Sequence, residues 1–224
     1  MLGIIMCDER EESALLAYVL QEAGLMQRQF DDLDTALSSF KAKPADLVVL
    51  ALRGLPLVDQ VRRVRQETTV YVAAITERAT EDRVCKAYDL GADLVVQRPF
   101  SARLLLQQLR ALVRRSQGTV LSILPSMRVG PVVLDPGTRT VQVGDRPIRR
   151  LTQLEFRLLY TMMLHRGQIV PVETIVERVW GYEGTGNTQL VRGLVRRLRA
   201  KVEEDPRHPV WIQSAPGIGY RFSG

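Results

Sequence analysis

The sequence has few cysteines and lacks long apolar runs. Only Cys7 and Cys85 occur among the 224 residues, and neither lies in a CxxC or Cys/His spacing. This usage argues against a disulfide framework and against a metal site. No run of about 18 apolar residues suggests a membrane span, and no basic stretch followed by an apolar segment and a small-residue cleavage site marks a signal peptide. We therefore expect a cytoplasmic protein with no membrane partner, no metal and no cofactor.

The excess positive charge is confined to one half of the chain. Residues 1–115 contain 16 Lys/Arg and 16 Asp/Glu, whereas residues 116–224 contain 15 and 9, which leaves a net charge of +6. A basic half has an electrostatic reason to meet nucleic acid, and a neutral half has none. The stretch RSQGTV has a glycine and no apolar periodicity, as is typical of a linker. We predict one domain at residues 1–115, a linker at 116–126 and a second domain at 127–224.

Short apolar runs alternate with helical patterns in the first domain. The stretch ADLVVLALRGLP contains a continuous apolar run at residues 48–52, which is typical of a strand buried on both faces of a parallel sheet. Five β–α units of this kind predict a doubly wound, parallel five-stranded α/β sheet. The predicted strands are 2–6, 26–30, 46–52, 70–75 and 93–97, and the predicted helices are 11–22, 34–41, 57–66, 81–90 and 102–115.

The second domain combines turn-rich strands with helices. The stretch VVLDPGTRTVQVGDRPI carries DPG and GD turns between alternating residues, which predicts a small antiparallel sheet. Helical patterns follow near residues 152–165, 172–179 and 188–203. The ending VWIQSAPGIGYRF predicts a hairpin around a Pro-Gly turn. Together these elements indicate an α+β domain.

The carboxyl ends of the predicted parallel strands bring five residues to one crevice. They are Cys7, Asp8, Ala51, Thr76 and Arg98. Residues 2–115 resemble the receiver domain of bacterial response regulators in their order of elements and in the motifs CDERE, AAITER, VVQRPF and EDRVCKAYDLGAD. At the five crevice positions the resemblance implies two adjacent acids that hold Mg²⁺, a phosphoacceptor Asp, a Thr or Ser, and the Lys of a Lys-Pro pair.

Three of the five crevice positions depart from that pattern. Cys7 replaces the first acid, Ala51 the phosphoacceptor and Arg98 the lysine. Because Mg²⁺ needs oxygen ligands and phosphoryl transfer to a carboxylate needs that carboxylate, we predict a receiver that is not phosphorylated on aspartate. Either an Asp8–Arg98 contact fills the crevice, or Asp8 bonds to local backbone while Arg98 points to solvent. Cys7 is either a redox-sensing thiol or a small buried residue.

Arginines form one face of the last predicted helix. In NTQLVRGLVRRLRAKV an apolar stripe recurs at helical spacing, and Arg192, Arg196 and Arg199 line up opposite it. Such a helix fits the major groove of DNA, where arginine contacts guanine edges or phosphates. The alternative is a solvated basic surface. The residues predicted to bind double-stranded DNA are Gln189, Arg192, Arg196, Arg197, Arg199 and Lys201.

The second half resembles the winged-helix effector domain of OmpR/PhoB-type transcription factors. The stretches LTQLEFRLLYTMMLHRGQIV, VWGYEG and VRRLRAKVEEDPRHPVWIQSAPGIGYRF carry the resemblance, which covers residues 127–224. It implies a four-stranded sheet, three helices of which the third reads DNA, a hairpin wing, and contact with RNA polymerase through the loop at residues 180–187. Pro216 stands in the wing where the family often has a basic residue.

The resemblance also implies homodimerisation through the receiver. Regulators of this class pair through the fourth helix, the last strand and the last helix of that domain. The corresponding residues here are Arg83, Val84, Ala87, Asp93, Leu94 and Arg110.

These observations predict a sequence-specific DNA-binding transcriptional regulator. Catalysis in the crevice is disfavoured because no nucleophile–base pair or phosphate-binding loop is present. Two alternatives remain for how this regulator is controlled. It is either a constitutive or partner-controlled dimer, or a ligand-responsive regulator in which a small molecule bound at the receiver replaces phosphorylation. A protein-interaction module that no longer binds DNA is a third alternative, and the arginine face argues against it.

Overall fold

A computed structural model of the chain describes residues 1–42, 45–117, 125–181 and 188–224. The chain divides into two units, residues 1–115 and 116–224, and each is described by itself. Parts of two predicted segments lie outside the described residues, namely 118–124 of the linker and 182–187 of the loop expected to meet RNA polymerase. None of the described helices is both long and apolar enough to cross a bilayer.

The first unit is a parallel sheet covered by helices, so its predicted fold class is confirmed. The strand order is β2-β1-β3-β4-β5. The strands are β1 (Leu2–Met6), β2 (Met26–Phe30), β3 (Leu47–Leu50), β4 (Tyr71–Thr76) and β5 (Leu94–Gln97). The described helices are α1 (Arg10–Glu22), α2 (Leu33–Ala42), α3 (Leu57–Glu67), α4 (Glu81–Leu90) and α5 (Ala102–Gln117). Helix α5 therefore extends two residues into the predicted linker.

Burial follows the position of each strand in the sheet. The central strands β1 and β3 are buried at every residue, because helices cover both faces of a doubly wound sheet. Strand β2 lies at the edge, and its sequence MQRQF is mostly exposed or half-buried. The register pairs Met6 with Leu50 and Leu50 with Ala74. The residues that follow these strands therefore lie at the same edge of the sheet.

The second unit contains two small antiparallel sheets and three described helices, which confirms the predicted α+β winged-helix class. One sheet has the order β6-β7-β8-β9 and the other β10-β12-β11. The strands are β6 (Met127–Val129), β7 (Val132–Asp135), β8 (Thr140–Val143), β9 (Arg149–Arg150), β10 (Ile169–Pro171), β11 (Ile212–Ala215) and β12 (Gly219–Phe222). The helices are α6 (Gln153–Leu164), α7 (Val172–Trp180) and α8 (Thr188–Val202). Strand β10 was not predicted, because three residues are too few to show a period.

Buried carboxylates fix the helices of the second unit. Glu155 and Thr152 form a capping box that starts α6, in which each side chain accepts from the backbone N–H of the other residue. Glu203, directly after α8, is buried and accepts from the backbone N–H groups of Val210, Trp211 and Ile212 at 2.9, 3.0 and 2.7 Å. These bonds attach the start of the β11–β12 hairpin to the end of α8.

Candidate receiver crevice and nucleic-acid interface

The strand ends bring the five predicted crevice residues to one edge of the first sheet. The backbone N–H of Ala51 donates to Met6 O at 2.8 Å, and that of Arg98 donates to Thr76 O at 2.8 Å. Cys7 and Asp8 follow β1 directly. The structure thus places all five residues at adjacent strand ends.

Arg98 is paired with a carboxylate that the sequence interpretation missed. Its Nε and Nη2 donate to the two oxygens of Glu12 at 2.8 and 2.7 Å, and Nη2 also donates to Ala51 O at 2.9 Å. The predicted Asp8–Arg98 contact is therefore wrong, and so is the alternative of an Arg98 that points to solvent. Glu12 could have been found from helical spacing, since it precedes the buried Leu16 by four residues on the same face of α1.

Asp8 instead binds the loop after β3. Its two oxygens accept from the backbone N–H of Arg53 at 3.1 and 2.8 Å, and Oδ2 accepts from that of Gly54 at 3.1 Å. The backbone-bonding alternative for Asp8 thus describes what the structure shows. The Asp8 carboxylate therefore accepts hydrogen bonds from backbone amides at the end of the central strand β3. These are amides that could otherwise bind an anion.

The crevice residues do not fit a Mg²⁺ ion. Among the residues that the structure describes, no group of three or more His, Cys, Asp and Glu side chains is arranged to hold a metal. Cys7 offers a soft sulfur and Ala51 offers no ligand, whereas Mg²⁺ requires several oxygens in near-octahedral geometry. Asp8 is the one carboxylate left of the two acids that the family pattern expects after β1, and it is bonded to backbone amides.

Cys7 is a buried thiol. Its side chain is close to Glu9 O at 3.3 Å, and only 4% of the residue is exposed. Burial raises the pKa of the Cys7 thiol, and the charges of Glu12 and Asp8 add to the increase. Because the thiolate is the reactive form, this environment favours the interpretation of Cys7 as a small buried residue over a redox sensor.

The exposed face of α8 is narrower than predicted. The apolar stripe is buried, and Arg192 and Arg196 are exposed one turn apart on the other side, with Gln189 half-buried one turn earlier. These three predicted DNA-binding residues stand at the surface. Their i, i+3 and i, i+7 spacing along a helix keeps them on one face.

Three other predicted DNA-binding residues are engaged within the protein. Arg199 donates to Ile212 O through Nε and Nη2 at 3.0 and 2.6 Å, and to Ser214 Oγ at 3.0 Å. Lys201 Nζ donates to Glu155 Oε2 at 2.6 Å, and Arg197 Nε lies 3.5 Å from Glu155 Oε1. These contacts hold α8 to the hairpin and to α6, and DNA contact by the three residues stays a prediction.

The hairpin tip presents apolar groups beside α8. Pro216, Gly217 and Ile218 connect β11 to β12, and Ile218 is 54% exposed. Backbone bonds fix this tip, since Ile218 N–H donates to Ala215 O and Ile218 O accepts from Val172 N–H, both at 3.0 Å. A cleft between the tip and α8 is lined by Arg192 and Tyr220, among other residues.

Most of the predicted dimer residues are used inside the first unit. Asp93 is 1% exposed, with Oδ2 accepting from Arg65 Nη2 at 2.5 Å and from the backbone N–H of Val72 at 2.9 Å. Ala87 and Leu94 are buried, and Arg110 donates to Glu22 O at 3.1 and 2.5 Å. The prediction of a surface ion pair at Asp93 is wrong. Three of the predicted residues keep open surface, since Arg83 is exposed and both Val84 and Arg110 are half-buried.

A parallel α/β sheet with a crevice at its strand ends, followed by a winged helix, defines a response regulator of the DNA-binding class. Residues 4–110 match the family described as response regulator receiver domain, and residues 145–222 match the family described as transcriptional regulatory protein, C terminal. The chain belongs to the OmpR/PhoB family of response regulators.

Curated relatives align with the chain over nearly its full length. The sensory transduction protein RegX3 of Mycolicibacterium smegmatis is 33% identical over 228 residues, covering 99% of this chain and 98% of the relative. The DNA-binding response regulator MtrA of the same organism is 30% identical, covering 97% and 95%. A solved structure of a mutant of RitR has a TM-score of 0.74 at 20% identity, covering 99% of this chain and 98% of the other. The last similarity shows the fold alone.

Proposed function

We propose that the chain is a sequence-specific, DNA-binding transcription regulator whose receiver is not phosphorylated on aspartate. The observation that carries the DNA-binding part is the exposed pair Arg192 and Arg196 on α8, beside the hairpin tip. Two guanidinium groups one turn apart on a helix match the major groove, where arginine binds guanine edges in bidentate fashion. The excess positive charge of residues 116–224 provides the electrostatic attraction to the duplex. We propose that this transcription regulator acts in the cytoplasm.

Three features of the crevice support the absence of aspartyl phosphorylation. The acceptor position holds Ala51, the loop amides are bonded to Asp8, and the cation Arg98 is bonded to Glu12. An acyl phosphate forms when a carboxylate oxygen attacks phosphorus, and a methyl group offers no such oxygen. This chemistry supports a regulator and not an enzyme.

The DNA interface is tested by selecting a binding site from random duplexes and measuring affinity at several salt concentrations. We expect Arg192→Ala and Arg196→Ala each to weaken specific binding by about 1–3 kcal/mol, as expected for a side chain that reads a base. Arg128→Ala is the matched control, because Arg128 is an exposed cation of the same unit on β6. Specific binding by the Arg192→Ala/Arg196→Ala variant equal to that of the wild type would reject α8 as the reader.

The assembly that we propose is a homodimer formed through the receiver, with RNA polymerase as a further partner of the second unit. Arg83 and Val84 on α4 support the dimer, because they keep open surface on the expected face. Individual surface ion pairs are weak, so apolar contact at Val84 has to contribute. Sedimentation should show a dimer at tens of micromolar, and a monomer without any added factor would count against it. We also propose that the first domain ends at residue 115 and that the second begins at residue 127.

Control by a small molecule is the second candidate function. A cleft beside the crevice favours it, because basic side chains line a recess of about 570 Å³ there. A ligand that binds one state of the receiver more tightly than another would shift assembly in the way that phosphorylation does in ordinary receivers. A constitutively active dimer is the competing form of the proposal, in which no such ligand exists.

A further inference from the structure

We propose that this recess, here called the basic cleft, binds a small polyanion such as a phosphorylated or carboxylated metabolite. Its basic lining residues are Arg53, Arg78, Arg83, Lys86 and Arg98, contributed by the loops after β3 and β4 and by α4 and the end of β5. The inference deepens the proposed function and rests on it, since the ligand would act on a DNA-binding regulator. Its size is that of an ordinary small-molecule site.

The charge inside the basic cleft is unbalanced. Glu77 is the single acidic residue among its described lining residues. Arg98 and Arg53 are already near carboxylates, Arg98 bonded to Glu12 and Arg53 lying 3.9 Å from Glu77. The other three cations, Arg78, Arg83 and Lys86, are exposed and pair with no carboxylate in the described ranges. An anion bound between them would complete the charge balance of the cleft.

One residue of the same lining, Gln60, has a buried polar atom without a described partner. Gln60 is 2% exposed and donates both amide hydrogens, to Leu52 O and Leu55 O at 2.7 Å each. Those two bonds fix the amide, yet its Oε1 accepts from no described group. Buried polar groups are almost always hydrogen-bonded. Because this oxygen is itself buried, a ligand in the open cleft does not reach it, and the cations of the cleft carry the proposal.

The location of the basic cleft suggests how occupancy would be sensed. Arg53 belongs to the loop whose amides hold Asp8, while Arg83 and Lys86 lie on α4. A polyanion that contacts both walls would connect this loop with the helix that carries the proposed dimer surface at Val84. Binding of that kind stabilises one arrangement of α4 over another, which is the requirement for a regulatory effect.

The test is isothermal titration calorimetry of the full chain with three probes, pyrophosphate, citrate and ADP. We expect at least one probe to bind, the phosphate and carboxylate arms to identify the preferred anion, and Arg83→Ala/Lys86→Ala to lose affinity tenfold or more. Arg103→Ala is the matched control, because Arg103 is an exposed cation on α5 outside the cleft. The substituted side chains are all exposed, and thermal melting checks that each variant is folded.

Two outcomes would overturn the basic cleft as a polyanion site. One is the absence of binding by all three probes, and the other is equal affinity of the wild type and of Arg83→Ala/Lys86→Ala. Arg192→Ala/Arg196→Ala separates this proposal from DNA recognition, since it should keep probe binding while losing specific DNA binding. Intact DNA binding without probe binding would therefore reject the cleft alone.

Discussion

Arg98 keeps its charge inside the first unit. Its side chain is 9% exposed, and burial alone would lower the pKa of its guanidinium, but the hydrogen bonds and charge of Glu12 raise that pKa above its usual value. The attraction within a buried ion pair offsets the cost of desolvating two charges only when the geometry is good and additional hydrogen bonds are formed. The bidentate contact to Glu12 and the bond to Ala51 O meet that condition.

Removal of Arg98 should destabilise the receiver by leaving Glu12 buried without its main partner. We expect Arg98→Met to lower the free energy of unfolding by about 3 kcal/mol, at the lower end for a broken buried pair because Arg53 remains 3.6 Å from Glu12. Urea unfolding of the full chain, followed by circular dichroism, measures the loss. The control is Glu12→Gln/Arg98→Met, which removes both charges and should recover most of it. An Arg98→Met variant as stable as the wild type would refute the structural role of the pair.

Lys201 and Arg197 act on stability through Glu155. Burial alone would raise the pKa of the Glu155 carboxyl, but the charges of Lys201 and Arg197 outweigh it and hold that pKa below the usual value of 4.5. A carboxylate with a lowered pKa in the folded state stabilises the protein above the pKa of its unfolded state. That contribution is lost as the pH falls below about 4.5 and through the folded-state pKa.

Lys201→Met should therefore change how the free energy of unfolding depends on pH in the acidic range. We expect lower stability at neutral pH and an onset of acid unfolding at higher pH than in the wild type, because Glu155 then protonates more easily. Urea unfolding at a series of pH values from neutral to about pH 3 is the measurement. Ala200→Ser, at an exposed position of the same helix, serves as the control. Superimposable profiles of Lys201→Met and the wild type would contradict the assignment.

At the scale of the element, α8 shows what helical spacing can and does not predict. Periodicity identified the buried stripe and the opposite pair Arg192 and Arg196. The same spacing also indicates that two of the cations lie close to the buried face. Arg199 follows the buried Val195 by four residues, and Lys201 follows the buried Leu198 by three. These cations lie at the edges of the stripe, and their partners come from α6 and β11, which are distant in sequence. A single helix cannot reveal such partners.

The same reasoning holds for the elements of the first unit. Alternating strand and helix patterns predicted the sheet and the edge where the five crevice residues meet, because the carboxyl ends of parallel strands share one edge. The pairing within the crevice depended on a side chain from the first turn of α1 and on loop amides after β3. Both are tertiary contacts between segments far apart in the chain, and local pattern contains no information on them.

The hairpin tip should contact DNA mainly through apolar atoms. Ile218 is exposed at the tip, and Arg221 further along β12 is bonded to Gln213 Oε1 at 2.6 Å. We expect Ile218→Arg to raise affinity and steepen the dependence of log K on log salt by roughly 0.9, the value for one added phosphate contact. Ile218→Ala should weaken binding and leave that slope unchanged.

Val210→Arg is the matched control for Ile218→Arg. Val210 is 59% exposed and lies in the same unit before β11, away from the tip. The added charge there should alter the salt slope less than the same charge at the tip. Equal slopes for Ile218→Arg and the wild type would show that the tip does not approach the duplex.

At the scale of the whole molecule, a phosphodonor should leave the regulator unchanged. Phosphorylation shifts a two-state equilibrium only when the phosphoryl group interacts differently with the two states, and a group that does not bind shifts nothing. Here Ala51 cannot accept the group, Asp8 is bonded to backbone amides and Arg98 to Glu12. We expect acetyl phosphate with Mg²⁺ to change neither DNA affinity nor sedimentation.

Phos-tag electrophoresis of the treated chain tests this prediction directly, with a phosphorylatable receiver from the same family as the positive control. Ala51→Asp alone should also fail to accept phosphate, because the carboxylate expected at Cys7 is still absent and Arg98 still binds Glu12. A shifted wild-type band that hydroxylamine removes would show that another carboxylate, such as Glu9 at the start of α1, accepts the group. Phosphorylation would then survive in this chain on a different residue, and the expectation that a phosphodonor leaves the regulator unchanged would be wrong.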